Sequence, residues 1–288
     1  MLYINNGIFN LQFSILKRAP LQFESCRLGT KMQTPCYSSK AHQKDKGEVM
    51  QHTERTVNQC GFSIIIPVLN EQELINPLIE RLRGQICGHS CEIIVVDGDR
   101  QGRTIKVIRD KDVISLTSAK GRACQMNAGA AVARGQILIF LHADTELPPD
   151  ALKKIGRVME DEKFVAGAFT LKIDSEKLFL KYISACTSRR SRKSKIPYGD
   201  QAIFVRKSYF DKIGHFKEIP LMEDVDLMRR IKKEGDKIFI LPDRVKTSPR
   251  RWEKEGIFYT TLRNRVLVGL YYLGVSPDRL AKYYRSHS

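Results

Sequence analysis

The segment of residues 136–149 constrains the fold of this chain more than any other. Five consecutive apolar residues, 137–141, predict a strand that is buried on both faces, as in a parallel sheet with helices on each side. His142 and Asp144 follow at the carboxyl end of this strand, where open α/β sheets bind their ligands. An imidazole and a carboxylate so close in sequence can face one crevice and bind a divalent cation. In the structural alternative, Asp144 caps the next helix and His142 packs beneath it.

Apolar periodicity predicts alternating strands and helices around this segment. We expect a strand within residues 61–70 that is broken by Pro67, a helix at 71–83 and a second strand at 91–97. An alanine-rich helix at 118–134, closed by Gly135 as a C-terminal cap, comes before the central strand, and a helix at 150–162 follows it. Strands that alternate with helices over short connections predict a doubly wound, mainly parallel sheet in a three-layer α/β/α arrangement.

The second half of the chain shows a different order of elements. We expect strands at residues 164–173 and 202–205, with a helix at 178–187 and a basic polar loop at 188–195 between them. This basic run is either a solvated mobile loop or a binding element. A helix at 222–234, a strand at 237–241 and terminal helices at 253–273 and 277–284 complete the prediction.

The formal net charge of +17 predicts an anionic partner, which is nucleic acid, a membrane surface or a phosphorylated substrate. The seven cysteines lack Cys-x-x-Cys pairs and compact disulfide spacing, which indicates reduced thiols and a cytoplasmic location, although Cys87 and Cys91 are close enough to pair. No stretch of about twenty uncharged apolar residues occurs, so the sequence predicts no membrane-spanning helix.

Residues 1–59 have no convincing periodic pattern, and their basic residues outnumber the acids. This composition predicts a disordered extension. It also resembles an organelle presequence, so targeting to an organelle is an open alternative. Residues 60–285 are predicted to form a single domain.

Polar side chains cluster after predicted strands and at predicted helix starts. Carboxylates in such positions either hydrogen-bond a ribose or a base, or hold a divalent cation against phosphate oxygens. An arginine pair adds bidentate phosphate binding. The sequence therefore predicts a site for a nucleoside diphosphate derivative. The clusters are Asn70 with Glu71, Asp97 with Asp99, His142 with Asp144, Glu223 with Asp224 and Asp226, and Arg250 with Arg251 and Trp252.

Two common phosphate-binding motifs are missing from the sequence. There is no Gly-x-x-x-x-Gly-Lys-Ser/Thr loop, which argues against ATP hydrolysis of that class, and no Gly-x-Gly-x-x-Gly after the first strand, which argues against a dinucleotide enzyme. The remaining chemistry is transfer from an activated donor, with one carboxylate as general base.

The successive motifs resemble those of family 2 glycosyltransferases, which have the A-type nucleotide-sugar-binding fold. The likeness covers about residues 61–285, and five further motifs are similar to a bacterial subgroup of soluble members. The family motifs are Ile64-Ile-Ile-Pro-Val-Leu-Asn-Glu71, Ile93-Ile-Val-Val-Asp-Gly98, the His-Ala-Asp cluster and Met222-Glu-Asp-Val-Asp226. The subgroup motifs are Gly121-Arg-Ala-Cys-Gln-Met-Asn-Ala-Gly129, Phe140-Leu-His-Ala-Asp-Thr145, Tyr198-Gly-Asp-Gln201, Pro220-Leu-Met-Glu-Asp224 and Ser248-Pro-Arg-Arg-Trp252.

The resemblance implies a metal-dependent, inverting glycosyltransferase that uses a nucleotide sugar and Mg²⁺ or Mn²⁺. It implies a domain with a nucleotide-binding half (60–150), an acceptor half (151–252) and C-terminal helices (253–285). Asp224 is the expected base, with Glu223 in reserve, and Asp144 with His142 is the expected metal site. Asp97 is expected to contact the nucleoside, and Arg250 and Arg251 to hold the diphosphate.

The remaining expected contacts complete the site. Donor contacts are further assigned to Pro67, Asn70, Glu71, Asp99, Lys120, Arg122 and Asn127. For Lys120 and Arg122 the alternative is the solvated basic end of a packing helix. Acceptor contacts are assigned to Asp200, Gln201 and Trp252. The loop after Asp97 departs from the family pattern, so either Asp99 replaces the second acid or Arg100 and Arg103 approach the diphosphate.

Two other functions remain open, a nucleotidyltransferase of related fold and a basic nucleic-acid-binding module. The first shares the sheet and the metal-binding acids. The second fits the charge, but the sequence has no aromatic-basic motif, so we predict no nucleic acid partner. The basic excess instead predicts contact with an anionic membrane that carries a lipid-linked acceptor. Its residues are Arg189, Arg190, Arg192, Lys193, Lys195, Arg279, Lys282 and Arg285.

Overall fold

The structure is a computed structural model that describes residues 61–86 and 88–284. The predictions for residues 1–59, Cys87 and Arg285 fall outside the described residues. Within the described residues, Cys124 and Cys186 are free thiols.

An eight-stranded sheet forms the centre of the fold, in the order β3-β2-β1-β4-β7-β6-β8-β5. Strands β3, β2, β1 and β4 run parallel to one another. Strand β7 runs antiparallel to both β4 and β6, and β6 pairs parallel with β8. The strands are β1 Phe62–Val68, β2 Cys91–Asp97, β3 Ile114–Thr117, β4 Ile137–Phe140, β5 Thr145–Glu146, β6 Phe164–Ile173, β7 Ile203–Arg206 and β8 Lys237–Thr247.

Helices cover both faces of the sheet, which confirms the predicted three-layer α/β/α class. Ile64 and Ile66 of β1 belong to a core with α1, α3 and α4, whereas the intervening Ile65 belongs to a second core with α2, α5 and α6. This alternation follows from the period of two in a strand. The helices are α1 Gln72–Ile86, α2 Arg122–Val132, α3 Ala151–Met159, α4 Leu178–Ser194, α5 Lys207–Ile213, α6 Glu223–Lys233, α7 Arg250–Glu255, α8 Ile257–Tyr272 and α9 Pro277–Ala281.

Pro67 does not break the first strand, contrary to the prediction. The strand β1 continues through Pro67 to Val68, and both residues pair with β2. The backbone of Ile65 hydrogen-bonds towards the β4 side through Leu141. Because strand residues alternate, the ring nitrogen of Pro67 faces the same side, just beyond Phe140, the end of β4. Proline is tolerated there because no ladder hydrogen bond is lost.

Gly135 is not the C-terminal cap of α2, as the sequence suggested. The helix ends at Val132 with Ala133 as its cap, and Gly135 lies in the turn into β4. A side-chain carbon at Gly135 would lie 2.5 Å from the backbone carbonyl carbon of Phe62. The glycine is therefore required by the close approach of β1.

The predicted basic loop at 188–195 is wrong, because α4 continues through it to Ser194. The hydroxyl of Ser184 accepts a hydrogen bond from Ile173 N, and the hydroxyl of Ser188 accepts one from Leu171 N, both in β6. Buried serines thus lie on the inner face of the helix, whereas Arg189, Arg192 and Lys193 are exposed on its outer face.

Several elements were not predicted or have different bounds. The strands β3 and β5 and the helix α5 were missed, and β8 extends to Thr247 rather than residue 241. The long terminal helix is divided into α7 and α8 at Gly256, whose φ of 91° is left-handed. Over the described part of the chain, none of the helices has the length and apolarity needed to cross a membrane.

Candidate active site

A cleft at the carboxyl end of the parallel strands gathers several of the predicted site residues. It is lined by His142 and Asp144 after β4, Asp200 before β7, Asp224 in α6 and Arg251 with Trp252 in α7. Arg122 at the start of α2 also faces it. Parallel strands end at one edge of a sheet, so segments that are distant in sequence meet there. The site therefore offers three carboxylates and two guanidinium groups in one cleft.

Asp144 lies beside an ion pair that joins the segment after β1 to the start of α7. The Arg250 guanidinium is 3.3 Å from a Glu71 carboxylate oxygen and 3.9 Å from an Asp144 carboxylate oxygen. Backbone pairing fixes this arrangement, because Ser248 N donates to the Asp144 carbonyl and β5 pairs with the end of β8. Burial raises the pKa of Glu71, and Arg250 opposes this shift.

Asp224 is held at the cleft by the backbone of a neighbouring segment. Its carboxylate accepts a hydrogen bond of 2.6 Å from Gly199 N and one of 2.7 Å from Val225 N. Met222, which caps α6, has a φ of 71° in the left-handed region. Such a conformation in a side chain other than glycine costs on the order of 1 kcal/mol, and strain of this kind gathers at functional sites.

Glu223 points into the protein rather than into the cleft. Its carboxylate is 3.0 Å from Arg122 Nε, and only 6% of its side chain is exposed. Burial raises the pKa of Glu223, and the Arg122 charge opposes that effect. In turn, Glu223 raises the pKa of Arg122. The two predicted site residues thus form a buried ion pair.

His142 is neutral in this environment. Burial, followed by the charge of Arg122, lowers the pKa of His142 to about 4. The ring packs against the Gly199 backbone, because a side-chain carbon added at Gly199 would lie 3.1 Å from His142 Nε2. Carboxylate oxygen is the ligand that Mg²⁺ prefers, so Asp144 is the better candidate of the two for a metal ligand.

Arg190 and Asp200 are two further charged residues beside the catalytic candidates. The Arg190 guanidinium carbon is 3.3 Å from the centre of the Tyr198 ring. Burial lowers the pKa of Arg190 to about 10. The pKa of Asp200 is raised to about 6 by burial, and the charges of Asp224 and Asp144 add to the rise while Arg190 opposes it. Neither Asp200 Oδ1 nor Arg190 Nε has a hydrogen-bond partner within residues 61–86 and 88–284.

Asp97 bonds to the loop that follows it. The residue is fully buried, and its carboxylate accepts hydrogen bonds from Asp99 N at 2.9 Å and Thr104 N at 2.8 Å. The Thr104 hydroxyl then accepts one from Glu71 N. In the structure Asp97 therefore shapes the loop after β2 and links it to the residue before α1. Its predicted contact with the nucleoside stays a prediction.

Three further predicted contacts involve residues that bond or pack inside the protein, and these assignments stay predictions. Asn127 exchanges two hydrogen bonds with the backbone of Phe216. Gln201 is fully buried and its amide donates to Phe169 O and Ser191 Oγ. Pro67 is buried within β1. These residues support the site from behind and do not line the cleft.

The other predicted donor contacts lie outside the cleft lining. Asp99 is paired with Arg103 at 2.5 Å, so its carboxylate stabilises its own loop. Lys120 and Asn70 are exposed, and Asn70 has a left-handed φ of 56°, which asparagine tolerates. These three assignments remain predictions.

The C-terminal wall of the cleft was missed at the sequence level. It consists of Asn264, Leu267 and Val268 from α8 together with Tyr284, and Tyr198 lies on the opposite segment. The Arg251 guanidinium donates to the Tyr284 hydroxyl and lies 5.4 Å from the centre of its ring. The helical spacing of residues 264, 267, 268 and 271 was visible, but it does not reveal what that face packs against.

The possible metal ligands of the cleft fit a cation that binds both the protein and the substrate. No group of three or more His, Cys, Asp or Glu side chains able to hold a metal is present in the described part of the chain. Mg²⁺ does not need such a cage, because it usually binds one or two carboxylates together with substrate phosphates. Asp144, a partly exposed carboxylate in a cleft with arginines, meets that requirement.

The α/β sheet with acids at its carboxyl edge defines the class of A-type glycosyltransferase folds. The sequence model of "Glycosyl transferase family 2" matches residues 63–219, more than half of the chain. The chain therefore belongs to glycosyltransferase family 2. This confirms the predicted family and favours a glycosyltransferase over the two alternative functions.

Curated relatives share limited identity with this chain. A dolichol-phosphate mannosyltransferase from Pyrococcus furiosus is 29% identical over 110 residues, which are 36% of this chain and 31% of the relative. An undecaprenyl-phosphate 4-deoxy-4-formamido-L-arabinose transferase from Edwardsiella ictaluri is 24% identical over 188 residues, which are 59% of this chain and 57% of the relative. The chain thus spans about a third to somewhat over half the length of these relatives.

Solved structures share the fold. The mannosyltransferase PcManGT from Pyrobaculum calidifontis, in complex with GDP-Man and Mn²⁺, has a TM-score of 0.52 at 18% identity, over 64% of this chain and 56% of that chain. S. aureus TarS 1-349 in complex with UDP has a TM-score of 0.51 at 17% identity, over 77% of this chain and 69% of that chain. These similarities support the A-type fold.

Proposed function

We propose that this protein is a metal-dependent, inverting glycosyltransferase that moves a sugar from a nucleoside diphosphate donor to an acceptor hydroxyl. The observation that carries this proposal is that Asp144 and Asp224 line one cleft together with Arg122 and Arg251. The reaction needs one acid for the metal, another for proton transfer, and cationic groups for the diphosphate.

The chain's own residues account for the steps of the reaction. Arg250 and Arg251 stabilise the negative charge on the leaving diphosphate. A divalent ion at Asp144 would neutralise part of that charge. The acceptor oxygen bonds to the anomeric carbon as the bond from that carbon to the diphosphate oxygen breaks. The acceptor proton passes to the Asp224 carboxylate, and attack from the face opposite the leaving group inverts the anomeric centre.

Asp224 is a better base than Glu223 on the contacts of each residue. Glu223 is buried and paired with Arg122, so its carboxylate is not available to an acceptor. Asp224 lines the cleft, and the Gly199 amide fixes its orientation. A carboxylate held in this way is prepared to accept a proton at a defined position.

A lipid-linked acceptor at an anionic membrane fits the relatives and the charge. The names of the relatives from P. furiosus and E. ictaluri specify dolichol phosphate and undecaprenyl phosphate. Arg189, Arg192 and Lys193 are exposed on the outer face of α4, and Arg279 and Lys282 are exposed near the end of the described residues. Basic residues near a membrane surface contribute about 1 kcal/mol each to binding of anionic lipid.

Sugar transfer from a panel of radiolabelled nucleotide sugars to a sugar-bearing lipid tests the proposal, because the hydroxyl group of this acceptor gives up the proton that Asp224 takes. A polyprenyl phosphate is tested beside it; its phosphate oxygen attacks without a hydroxyl proton, so transfer to it alone would contradict the role of Asp224 as base. We expect turnover that requires Mn²⁺ or Mg²⁺, is lost with a chelator, and yields a product of inverted anomeric configuration by NMR. Full activity with the chelator would contradict the metal, and retained configuration would contradict inversion. Formation of a nucleotide sugar from sugar phosphate and nucleoside triphosphate would identify a nucleotidyltransferase instead.

A further inference from the structure

Exposed large apolar side chains concentrate on one part of the molecule. Eleven such residues occur among the described residues, and only Val107 and Val132 lie away from α4, α8 and the segment that follows α8. Leu178 is 82% exposed, Phe258 74% and Leu262 66%. Single exposed apolar residues are ordinary, but a contiguous group marks an interaction surface.

The helices α4 and α8 lie side by side. The rings of Phe179 and Phe258, near the start of each helix, have centroids 4.6 Å apart. Farther along the helices, Arg265 of α8 interacts electrostatically with Tyr182 of α4, and Tyr272 of α8 does so with Arg190 of α4. The two helices therefore run in the same direction. Their outward side chains form one surface, here called the α4–α8 face, made of Leu178, Tyr182, Phe258, Leu262, Arg265 and Val266.

The helix α8 is apolar on both sides. Asn264, Leu267 and Val268 face inward and line the cleft. Phe258, Leu262 and Val266, spaced by four residues, lie on the opposite side and are exposed. A helix that is apolar all round needs an apolar neighbour on each side. The inner neighbour is the protein, and among the described residues the outer side chains Phe258, Leu262 and Val266 stay exposed.

The charges beside the α4–α8 face are basic. The outward row of α4 begins with Leu178 and Tyr182 and continues with Arg189, Arg192 and Lys193, which are exposed. Acids near the start of the two helices are neutralised, because Glu176 is 2.7 Å from Lys181 and Glu253 is 3.4 Å from Lys177. Leucine and aromatic residues beside arginine and lysine are the composition of surfaces that bind anionic bilayers.

We propose that the α4–α8 face docks on an anionic lipid bilayer, with Phe258 and Leu262 entering the boundary between headgroups and acyl chains. The inner side of α8 would then set the cleft next to the membrane surface. A membrane-borne acceptor reaches Asp224 without leaving the bilayer surface. This inference rests on the lipid-linked acceptor of the proposed function and identifies the surface that delivers it.

Vesicle flotation tests this docking with the full-length protein and no donor or acceptor. The vesicles contain phosphatidylcholine alone or phosphatidylcholine with phosphatidylglycerol. We expect binding only to the anionic vesicles, with a partition coefficient that falls about tenfold or more in the double variant Phe258→Ser with Leu262→Ser, because both side chains lose apolar burial. The variant Arg189→Gln with Lys193→Gln should bind less, and its binding should depend less on salt than that of the wild type.

The matched control is Val132→Ser, which removes an exposed apolar side chain from α2 and should float like the wild type. Circular dichroism and the melting temperature establish that each variant is folded. Donor hydrolysis in vesicle-free buffer should be equal in all of them, so loss of membrane binding is separated from loss of catalysis. Wild type that fails to bind anionic vesicles, or a Phe258/Leu262 variant that binds fully, overturns the proposal. A dimer in light scattering that the same variant converts to monomer, without vesicle binding, assigns the face to a second copy and also overturns it.

Discussion

The carboxylate of Asp224 accepts a 2.6 Å hydrogen bond from the backbone N–H of Gly199. This contact joins the start of α6 to the segment that carries Tyr198 and Asp200. Gly199 also lies against the His142 ring, so this one small residue contacts both Asp224 and His142. The relative positions of the base candidate and the imidazole therefore depend on this glycine.

Replacement of Gly199 by alanine should reduce turnover with little effect on folding. The added carbon would lie 3.1 Å from His142 Nε2 and 3.5 Å from an Asp224 carboxylate oxygen, so the His142 ring must move by a few tenths of an ångström. Displacement of site groups on this scale costs on the order of tenfold in rate. Steady-state transfer kinetics and thermal unfolding measure the two effects. The control is Gly84→Ala, which has open space around it within α1. Equal kinetics in Gly199→Ala and the wild type would contradict this dependence.

Replacement of Asp224 by asparagine should abolish proton transfer and leave donor binding intact. The amide oxygen of asparagine can still accept the Gly199 hydrogen bond, whereas the Val225 N–H loses its carboxylate acceptor. Loss of a general base lowers kcat by about 10² to 10⁴. Single-turnover transfer measures the chemical step, and the shift in melting temperature with a nucleoside diphosphate and Mn²⁺ measures binding. Unchanged turnover would remove Asp224 from the reaction.

Replacement of Glu223 by glutamine should act mainly on stability. It removes one partner of the buried pair with Arg122 and leaves a guanidinium without its counter-charge. Loss of one member of a buried pair costs about 3 kcal/mol, and less here because 35% of the Arg122 side chain is exposed. Urea denaturation measures the free energy of unfolding. A double variant, Arg122→Met with Glu223→Met, should recover part of the loss; a full additive loss would show that the two residues are not coupled.

The Asp200 carboxyl should make the stability of the protein depend on pH. Its pKa rises from 3.8 to about 6 on folding, so the folded state holds this proton more tightly than the unfolded state. The free energy of unfolding therefore falls as pH rises from about 4 to 6 and is constant above that window. The difference in the free energy of unfolding between the wild type and Asp200→Asn should show this fall. At 1.36 kcal/mol per pKa unit, the fall is no more than about 3 kcal/mol.

A control of opposite sign is available at Asp110. Its carboxylate is 2.6 Å from Arg83 Nε, and the hydrogen bond with that arginine lowers its pKa. The stability that Asp110 contributes is therefore present above its unfolded pKa and lost as pH falls through the folded value. Wild type minus Asp110→Asn should rise with pH, whereas the Asp200 difference should fall. Slopes of the same sign would contradict the shift assigned to Asp200.

The strands that consist of long apolar runs were predictable from the sequence. The predicted strand at 91–97 and the strand at 164–173 agree with β2 and β6 residue by residue. The strand β3 was missed because its sequence, Ile-Ser-Leu-Thr, is short and only half-buried. The basic part of α4 looked like a loop because its inner face consists of serines, which bond to β6 instead of packing as apolar residues.

The location of the candidate site could be predicted from the order of strands. The contacts of individual side chains could not. Acids after β4 and at the start of α6 line the cleft, whereas Asp97 is used by its own loop. Nothing in a sequence distinguishes a carboxylate that faces a cleft from one that accepts backbone N–H groups. Likewise, the burial of Arg190 against Tyr198 depends on how α4 packs on β6, which is a tertiary property.

The wall made by α8 and Tyr284 also sets when the protein can become active during its synthesis. The segment that carries Asp144 leaves the ribosome early, but its sheet is complete only after β8 has emerged, because β5 pairs with the end of β8. The cleft remains open on one side until residues 264 to 284 have emerged and packed against Arg251 and Trp252. We therefore expect a nascent chain to have no complete cleft until α8 and Tyr284 are in place.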